Sequence, residues 1–307
     1  MRAITQKTAG GPEVLEIEDR PSPDPSHGEA VVKVKAAGIN PVDIAVRGGF
    51  YPLLGEPPFT IGWDVSGIVE KASEGGRFKV GDEVFGLSRF PGQAAAYAEE
   101  AAILEDEFVR KPKTLDHIHA AALPLAGLTA WQGLVGAGGL KEEQRVLIHS
   151  GAGGVGHLAV QIAKARGAYV LATASAGKID FVRSLGADEV IDYKASDFTK
   201  EARDVDIVFE TIGGDHAAQS LKSLRKGGVL VSLLDPGEKT RAEAPALGVR
   251  VERISVRPDR DGLNELVHLV EAGKLTVHVE KTFPLEQAGK AHEFLGTRPK
   301  GKVVLAV

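Results

Sequence analysis

From Arg145 onward the chain alternates between short, continuously apolar runs and longer segments whose apolar residues recur every three to four positions. RVLIH, YVLATA, EVIDY, VDIVFET and GGVLVSLL are runs of the first kind, the pattern of strands buried on both faces. GVGHLAVQIAKARG, GKIDFVRSLGA and a segment running through Ser220 and Leu224 are of the second kind. Buried strands alternating with amphipathic helices predict an α/β fold with a parallel, doubly wound sheet. The first ~120 residues have a different texture. EAVVKVKAAGI, SGIVEKA, GDEVFGL and AYAEEAAIL read as short strands, punctuated by Pro and Gly in PSPDPSHG, LLGEPP and SRFPGQ, which predicts a β-rich unit. LPLAGLTAWQGLVGAGG reads as a small-residue helix between the two textures. After Asp261 come a helix (LNELVHLVEAGK), a strand around His278, a helix (LEQAGKAHEFL) and a closing strand, KVVLAV.

Length fits this division: 307 residues, at roughly 150 per domain, predict two domains, each able to bury its own core. Lys and Arg total 37 against 42 Asp and Glu, a net charge of −5, so no basic surface for nucleic acid or anionic lipid is expected. No apolar run reaches the roughly eighteen residues of a membrane span, and MRAITQKTAGG lacks the apolar core of a signal peptide. A cytoplasmic location is the resulting expectation. There is no cysteine, which removes disulfides, thiol nucleophiles, iron–sulfur clusters and cysteine-ligated zinc. Among the histidines no HExxH occurs. His117 and His119, two apart in KTLDHIHAAALP, suit neither one helix face nor a common zinc motif and read as surface or helix-start residues. No metal site is expected.

The loop HSGAGGVGHLAV carries Gly151, Gly153 and Gly156 in GxGxxG spacing, with Gly154 and Val155 between them, and lies between a strand and a helix. In that context the first glycine allows the tight turn, the second lets backbone approach a pyrophosphate, and the third packs helix against strand. The amides and dipole at the helix start then hold the phosphates. A dinucleotide site of this kind ordinarily has an Asp or Glu about twenty residues on, at the end of the second strand, to bind the adenosine ribose. Here that strand ends VLATASAGK. Ser175 and Lys178 replace the acid, and Tyr193, at the end of the next run, adds a hydroxyl. An acid would repel a 2′-phosphate, and its absence favours NADP(H).

With these motifs in place, the chain resembles the zinc-free medium-chain dehydrogenase/reductases of the quinone oxidoreductase type over nearly its whole length. AGINPVDIAVRGGFYP looks like the family's Asn-x-x-Asp…Arg-x-Gly-x-Tyr-Pro segment and supplies Asn40, Asp43, Arg47 and Tyr51. ALPLAGLTAWQGL is similar to the segment whose threonine, Thr129 here, lies near the nicotinamide ribose. SGAGGVG, LGADEVIDY, DIVFETIGG and FPLEQAGKAHEFL…GKVVL match in spacing.

The resemblance implies a GroES-like catalytic domain (1–123, completed by 275–307), a Rossmann NADP-binding domain (124–274), and a cleft where they meet. It implies a homodimer paired through VRVERISVRP, a small-molecule acceptor, and no nucleic-acid or membrane partner. Zinc alcohol dehydrogenases share the architecture, but their first cysteine ligand would fall in AGINPVD, and Trp63 stands where their ligand histidine would be. Trp63 and Asp64 also depart from the Thr-Glu or Asn-Glu of many quinone reductases. The implied activity is hydride transfer from NADPH to a quinone or an α,β-unsaturated carbonyl. Asn40, Asp43, Arg47 and Tyr51 would line the site, with Tyr51 hydrogen-bonding the carbonyl oxygen.

Plainer readings stand beside this one. Asp43 and Arg47 could brace a helix as an i,i+4 pair, with Asn40 its cap. The phosphate loop would serve equally in a non-catalytic NADPH-binding sensor. A methyltransferase would want the missing acid on the second strand.

Overall fold

Each apolar run from Arg145 to Ser232 forms a strand of one six-stranded parallel sheet, in a computed structural model that describes residues 1–307. Its spatial order is Glu189–Asp192, Tyr169–Ala174, Arg145–Ile148, Val205–Glu210, Leu224–Ser232, Arg250–Arg253. The order reverses between the third and fourth of these, as in a doubly wound nucleotide-binding sheet. Leu147, Leu171, Val208 and Leu230 fill its core. The four central strands bury side chains on both faces because helices cover both, whereas at the edges Glu189–Asp192 buries only Ile191 and Arg250–Arg253 none. The segment through Ser220 behaves differently from its helical reading. Helix Asp215–Ser220 tightens to a 3₁₀ turn at Leu221–Ser223, and Leu224 already pairs with Val205 in the sheet. The helix Gly237–Leu247 has no apolar stripe to announce it. It buries only Thr240 and Ala244 and carries Pro245 inside.

The second sheet has seven strands. At its centre Glu29–Ile39 pairs antiparallel with Asp64–Lys71, with Glu100–Leu104 and with the closing strand Lys302–Ala306. That closing strand also runs parallel to Val279–Pro284, so both ends of the chain build this sheet. A two-stranded ribbon, Arg2–Thr5 with Glu16–Asp19, lies apart from it in pairing.

The chain divides into two compact units. One comprises Met1–Leu128, Arg257–Glu271 and Val277–Val307, the other Thr129–Val256 and Ala272–Thr276. Relative to the expected division, the boundary lies after Leu128, and helix Arg260–Glu271 moves from the nucleotide domain to the first unit. The helix buries Leu263, Leu266 and Val270. Leu266 packs so close to Gly127 that a Cβ there would lie 2.7 Å from it, and Arg260 pairs with Asp106 at 3.0 Å. No helix is long and apolar enough to cross a membrane.

Candidate functional site

Residues Asn40 to Arg47 illustrate how a local motif is finished by distant strands. Pro41 opens the helix Pro41–Arg47 at its first position, with Asn40 extended before it, because proline lacks only an N–H that would be unpaired there. Asp43 turns back so that Asn40 N–H donates to its Oδ2 at 2.7 Å. The register then imports partners. Val303 lies opposite Ile39, and Gly38 opposite Asp64, which sets Lys302 and Asp64 beside Asn40. The Asn40 side-chain amide donates to Asp64 Oδ2 at 2.9 Å, and Lys302 Nζ donates to Asn40 Oδ1. Asp64 Oδ1 accepts Leu125 N–H at 2.7 Å, and Lys302 stands 3.5 Å from Oδ2. Burial pushes the Asp64 carboxyl up, opposed chiefly by Lys302.

Asp43 and Arg47 do not pair with each other. Arg47 Nη1 lies 3.1 Å from His292 Nδ1, and its Nε donates to Gly10 O at 3.2 Å. Guanidinium has no acceptor, so His292 Nδ1 must accept and Nε2 carries the proton. That Nε2 faces Tyr97 Oη at 3.2 Å, and Tyr97 O–H donates to Asp43 Oδ2 at 2.7 Å. The chain of donors thus runs one way, from Arg47 through His292 and Tyr97 to Asp43. Burial holds His292 down to about 3 and raises Asp43 to about 7. Asp43 Oδ1 is buried without a partner. Because Oδ2 already accepts two donors, the proton of the neutral acid belongs on Oδ1.

Tyr51 sits elsewhere. It follows Gly49, whose φ of +76° turns the chain out of the helix, and its side chain is exposed beside an 86% exposed Phe50. The structure therefore separates the four residues of the segment into a buried network (Asn40, Asp43, Arg47) and an open loop (Tyr51). Trp63 is fully buried, donating from Nε1 to Gly92 O at 2.6 Å and meeting Phe90 edge-on. Sequence reasoning passed over Tyr97, His292 and Lys302. Each stands in an unremarkable strand or helix, with no local signal of its role. His117 and His119 open the helix His117–Ala121.

In the second unit the glycine loop takes its expected place between strand Arg145–Ile148 and helix Gly156–Ala165. A Cβ on Gly156 would lie 2.1 Å from Ser150 O, and one on Gly151 2.9 Å from Ala172 Cβ. Gly153 N–H closes the turn onto Ser150 O at 2.8 Å, and Val155 precedes the helix. Ser175 and Lys178 follow strand Tyr169–Ala174, their backbones joined by Lys178 N–H to Ser175 O at 2.8 Å. Tyr193 N–H reaches Ala174 O, which brings the half-exposed Tyr193 to the same strand ends. Thr129 is buried near the end of helix Pro124–Trp131.

Two β-sheet units of this kind, one with a glycine-rich switch-point loop, define a two-domain dehydrogenase or reductase. Comparison agrees. The family model for the alcohol dehydrogenase GroES-like domain matches residues 26–113, and that for a zinc-binding dehydrogenase matches residues 185–305. The quinone oxidoreductase of Mus musculus is 32% identical over 99% of this chain and 97% of its own length. A 2-haloacrylate reductase from Burkholderia sp is 33% identical over 99% and 98%. The solved quinone oxidoreductase of Coxiella burnetii superposes with a TM-score of 0.95 at 35% identity, covering 100% of this chain and 99% of that one. The Escherichia coli quinone oxidoreductase complexed with NADPH gives 0.91 at 31%, covering 100% of both. The chain belongs to the medium-chain dehydrogenase/reductases, of the quinone oxidoreductase type.

Proposed function

We propose that this protein is a zinc-independent, NADPH-dependent reductase that delivers hydride to a quinone or an α,β-unsaturated carbonyl. The observation that carries the cofactor half is the acid-free end of the second strand, which Ser175 and Lys178 follow, where Tyr193 N–H bonds Ala174 O and the glycine loop joins through Gly151 N–H to Thr173 O. The E. coli neighbour solved with NADPH supports it. The quinone and 2-haloacrylate reductases among the relatives support an electron-poor acceptor. NADPH, when bound, supplies the hydride. The glycine loop and helix Gly156–Ala165 receive the pyrophosphate, and Ser175 with Lys178 take the 2′-phosphate through charge-assisted hydrogen bonds, each worth about 1.5–3 kcal/mol. We place Thr129 beside the nicotinamide ribose.

A catalytic zinc does not suit this donor set. The chain has no cysteine. Asn40 has both side-chain polar atoms engaged, and Trp63 is buried with its N–H on Gly92. We assign the acceptor's carbonyl oxygen to Tyr51, whose hydroxyl would stabilise charge developing there. Asn40, Asp43 and Arg47 are assigned the buried frame that fixes the helix from which the Tyr51 loop departs. The edge strand Arg250–Arg253 is the surface we assign to a homodimer, since it leaves ladder groups to be paired. Cytoplasmic placement is part of the same proposal.

The test is consumption of NADPH, with NADH in parallel, against a panel of quinones and enones. Turnover with NADPH well above NADH is expected. Tyr51→Phe should lower kcat about tenfold or more while leaving NADPH affinity unchanged. NADPH binding without turnover of any acceptor would favour the sensor reading, and an NADH preference would refute the roles given to Ser175 and Lys178.

A further inference from the structure

The sheet of the second unit reverses its order between strands Arg145–Ile148 and Val205–Glu210, and in open α/β sheets the ligand lies across that point. His149 and Glu210 stand at the carboxyl ends of these strands, both fully buried, and helix Asp215–Ser220 closes His216 and Ser220 upon them. Glu210 Oε1 accepts the backbone N–H of Ile212 at 2.6 Å and of Gly213 at 3.2 Å. Its Oε2 accepts Ser220 O–H at 2.8 Å and lies 2.8 Å from His216 Nδ1, which must donate, a carboxylate being acceptor-only. Burial would raise the Glu210 carboxyl, but His216 foremost, with the neighbouring His149 and the Ile212 N–H, holds it down to about 2. His149, brought down to about 4 by burial, stays neutral between Thr173 Oγ1 at 3.2 Å and Ser220 Oγ at 3.1 Å.

What this cluster fastens is the loop Thr211–Gly214. Thr211 Oγ1 donates to His149 O at 3.3 Å, and Gly214 N–H to Asp235 O at 3.0 Å. Gly213 and Gly214 both have positive φ, +81° and +57°, so the loop has little conformational preference of its own and takes its shape from Glu210. The adenosine half of a dinucleotide extends from the phosphate loop toward the second strand's end, here Ser175. The loop after Val205–Glu210 leaves the sheet on the other side of the switch point.

His149, Glu210 and His216 offer three metal-ligand atoms within 4.8 Å of one another. Glu210 Oε2 is already taken by two donors, however, and His216 Nδ1 bears the proton it donates. A cation would have to displace both.

We propose that Glu210 is a positioning residue for the nicotinamide half of the cofactor, acting through Ile212 and Gly213 to fix the loop Thr211–Gly214. The inference rests on the NADPH reading above. Glu210→Gln leaves a carbonyl to accept at one side but sets an NH₂ against the donors at the other. Its affinity for NADPH should fall about tenfold, while affinity for adenosine 2′,5′-bisphosphate, which lacks the nicotinamide half, stays within twofold of wild type. Should Glu210→Gln fail to fold, His216→Gln, at a partly exposed side chain, should show the same selective loss at about threefold. Equal loss for both ligands, or loss for neither, overturns the proposal. Stoichiometric zinc binding by the wild type that His216→Gln abolishes would also overturn it, in favour of a metal site. A wild type that binds the bisphosphate and NADPH normally, with variants to match, removes this inference alone. A wild type that binds neither removes the cofactor reading with it.

Discussion

Replacing Asp43 by Asn tests the buried network most directly. Asp43 is fully buried, its Oδ2 accepts Asn40 N–H and Tyr97 O–H, and its carboxyl is raised to about 7 by burial. From the ordinary aspartate value of 3.8 up to about 7, the folded protein therefore holds a proton that the unfolded chain has released. Stability falls with rising pH across that window and levels off above the folded value. At about 1.4 kcal/mol per pH unit, the loss between pH 5 and pH 8 is roughly 2–3 kcal/mol. Asparagine mimics the neutral acid. Its carbonyl can take the place of Oδ2, and its NH₂ that of the protonated Oδ1. Urea denaturation of both proteins from pH 5 to pH 8 cancels every other titrating group. The stability of Asp43→Asn relative to wild type should rise by roughly 2–3 kcal/mol over that interval. Parallel curves would mean that Asp43 is ionised in the fold throughout, and the assignment of its proton to Oδ1 would be wrong.

The same geometry makes further claims. Lys302→Met strands the buried Asp64 carboxylate, and urea unfolding at pH 7 should show a loss of about 3–5 kcal/mol. A loss below about 1 kcal/mol would mean that Asp64 is neutral already. Gly156→Ala places a Cβ where only 2.1 Å separates it from Ser150 O. NADPH affinity by titration should drop more than tenfold, with the far-ultraviolet circular dichroism unchanged. In acid the signs reverse from those of Asp43. His149, His292 and Glu210 are depressed to about 4, 3 and 2, so their stabilisation is present above their unfolded values and is lost as pH falls. Relative to His292→Gln, wild type should lose thermal stability steadily from about pH 6.5 downward, and parallel melting profiles to pH 4 would contradict the burial of that imidazole.

Local sequence determined a good deal of this protein. The apolar runs from Arg145 on carried the pattern of buried parallel strands, and the glycine spacing of residues 151–156, between a strand and a helix, that of a tight turn. Period and turn chemistry are properties of neighbours in the chain, so both were legible. So was the acid-free end of YVLATA. The resemblance of AGINPVDIAVRGGFYP to its family singled out one segment, but it could not separate the buried Asn40, Asp43 and Arg47 from the exposed Tyr51. Only tertiary structure decided that. The partners that bury these side chains are Tyr97, 54 residues from Asp43, His292, 245 from Arg47, and Lys302, 262 from Asn40. Lys302 arrives because the closing strand pairs with Glu29–Ile39 in one particular register, and a shift of a single residue would turn it to the other face. Helix Arg260–Glu271 shows the same limit. Its apolar stripe announced a helix, yet which unit it covers depended on where Gly127 left room for Leu266. Periodicity specifies that a face must be buried; only the packed chain specifies against what.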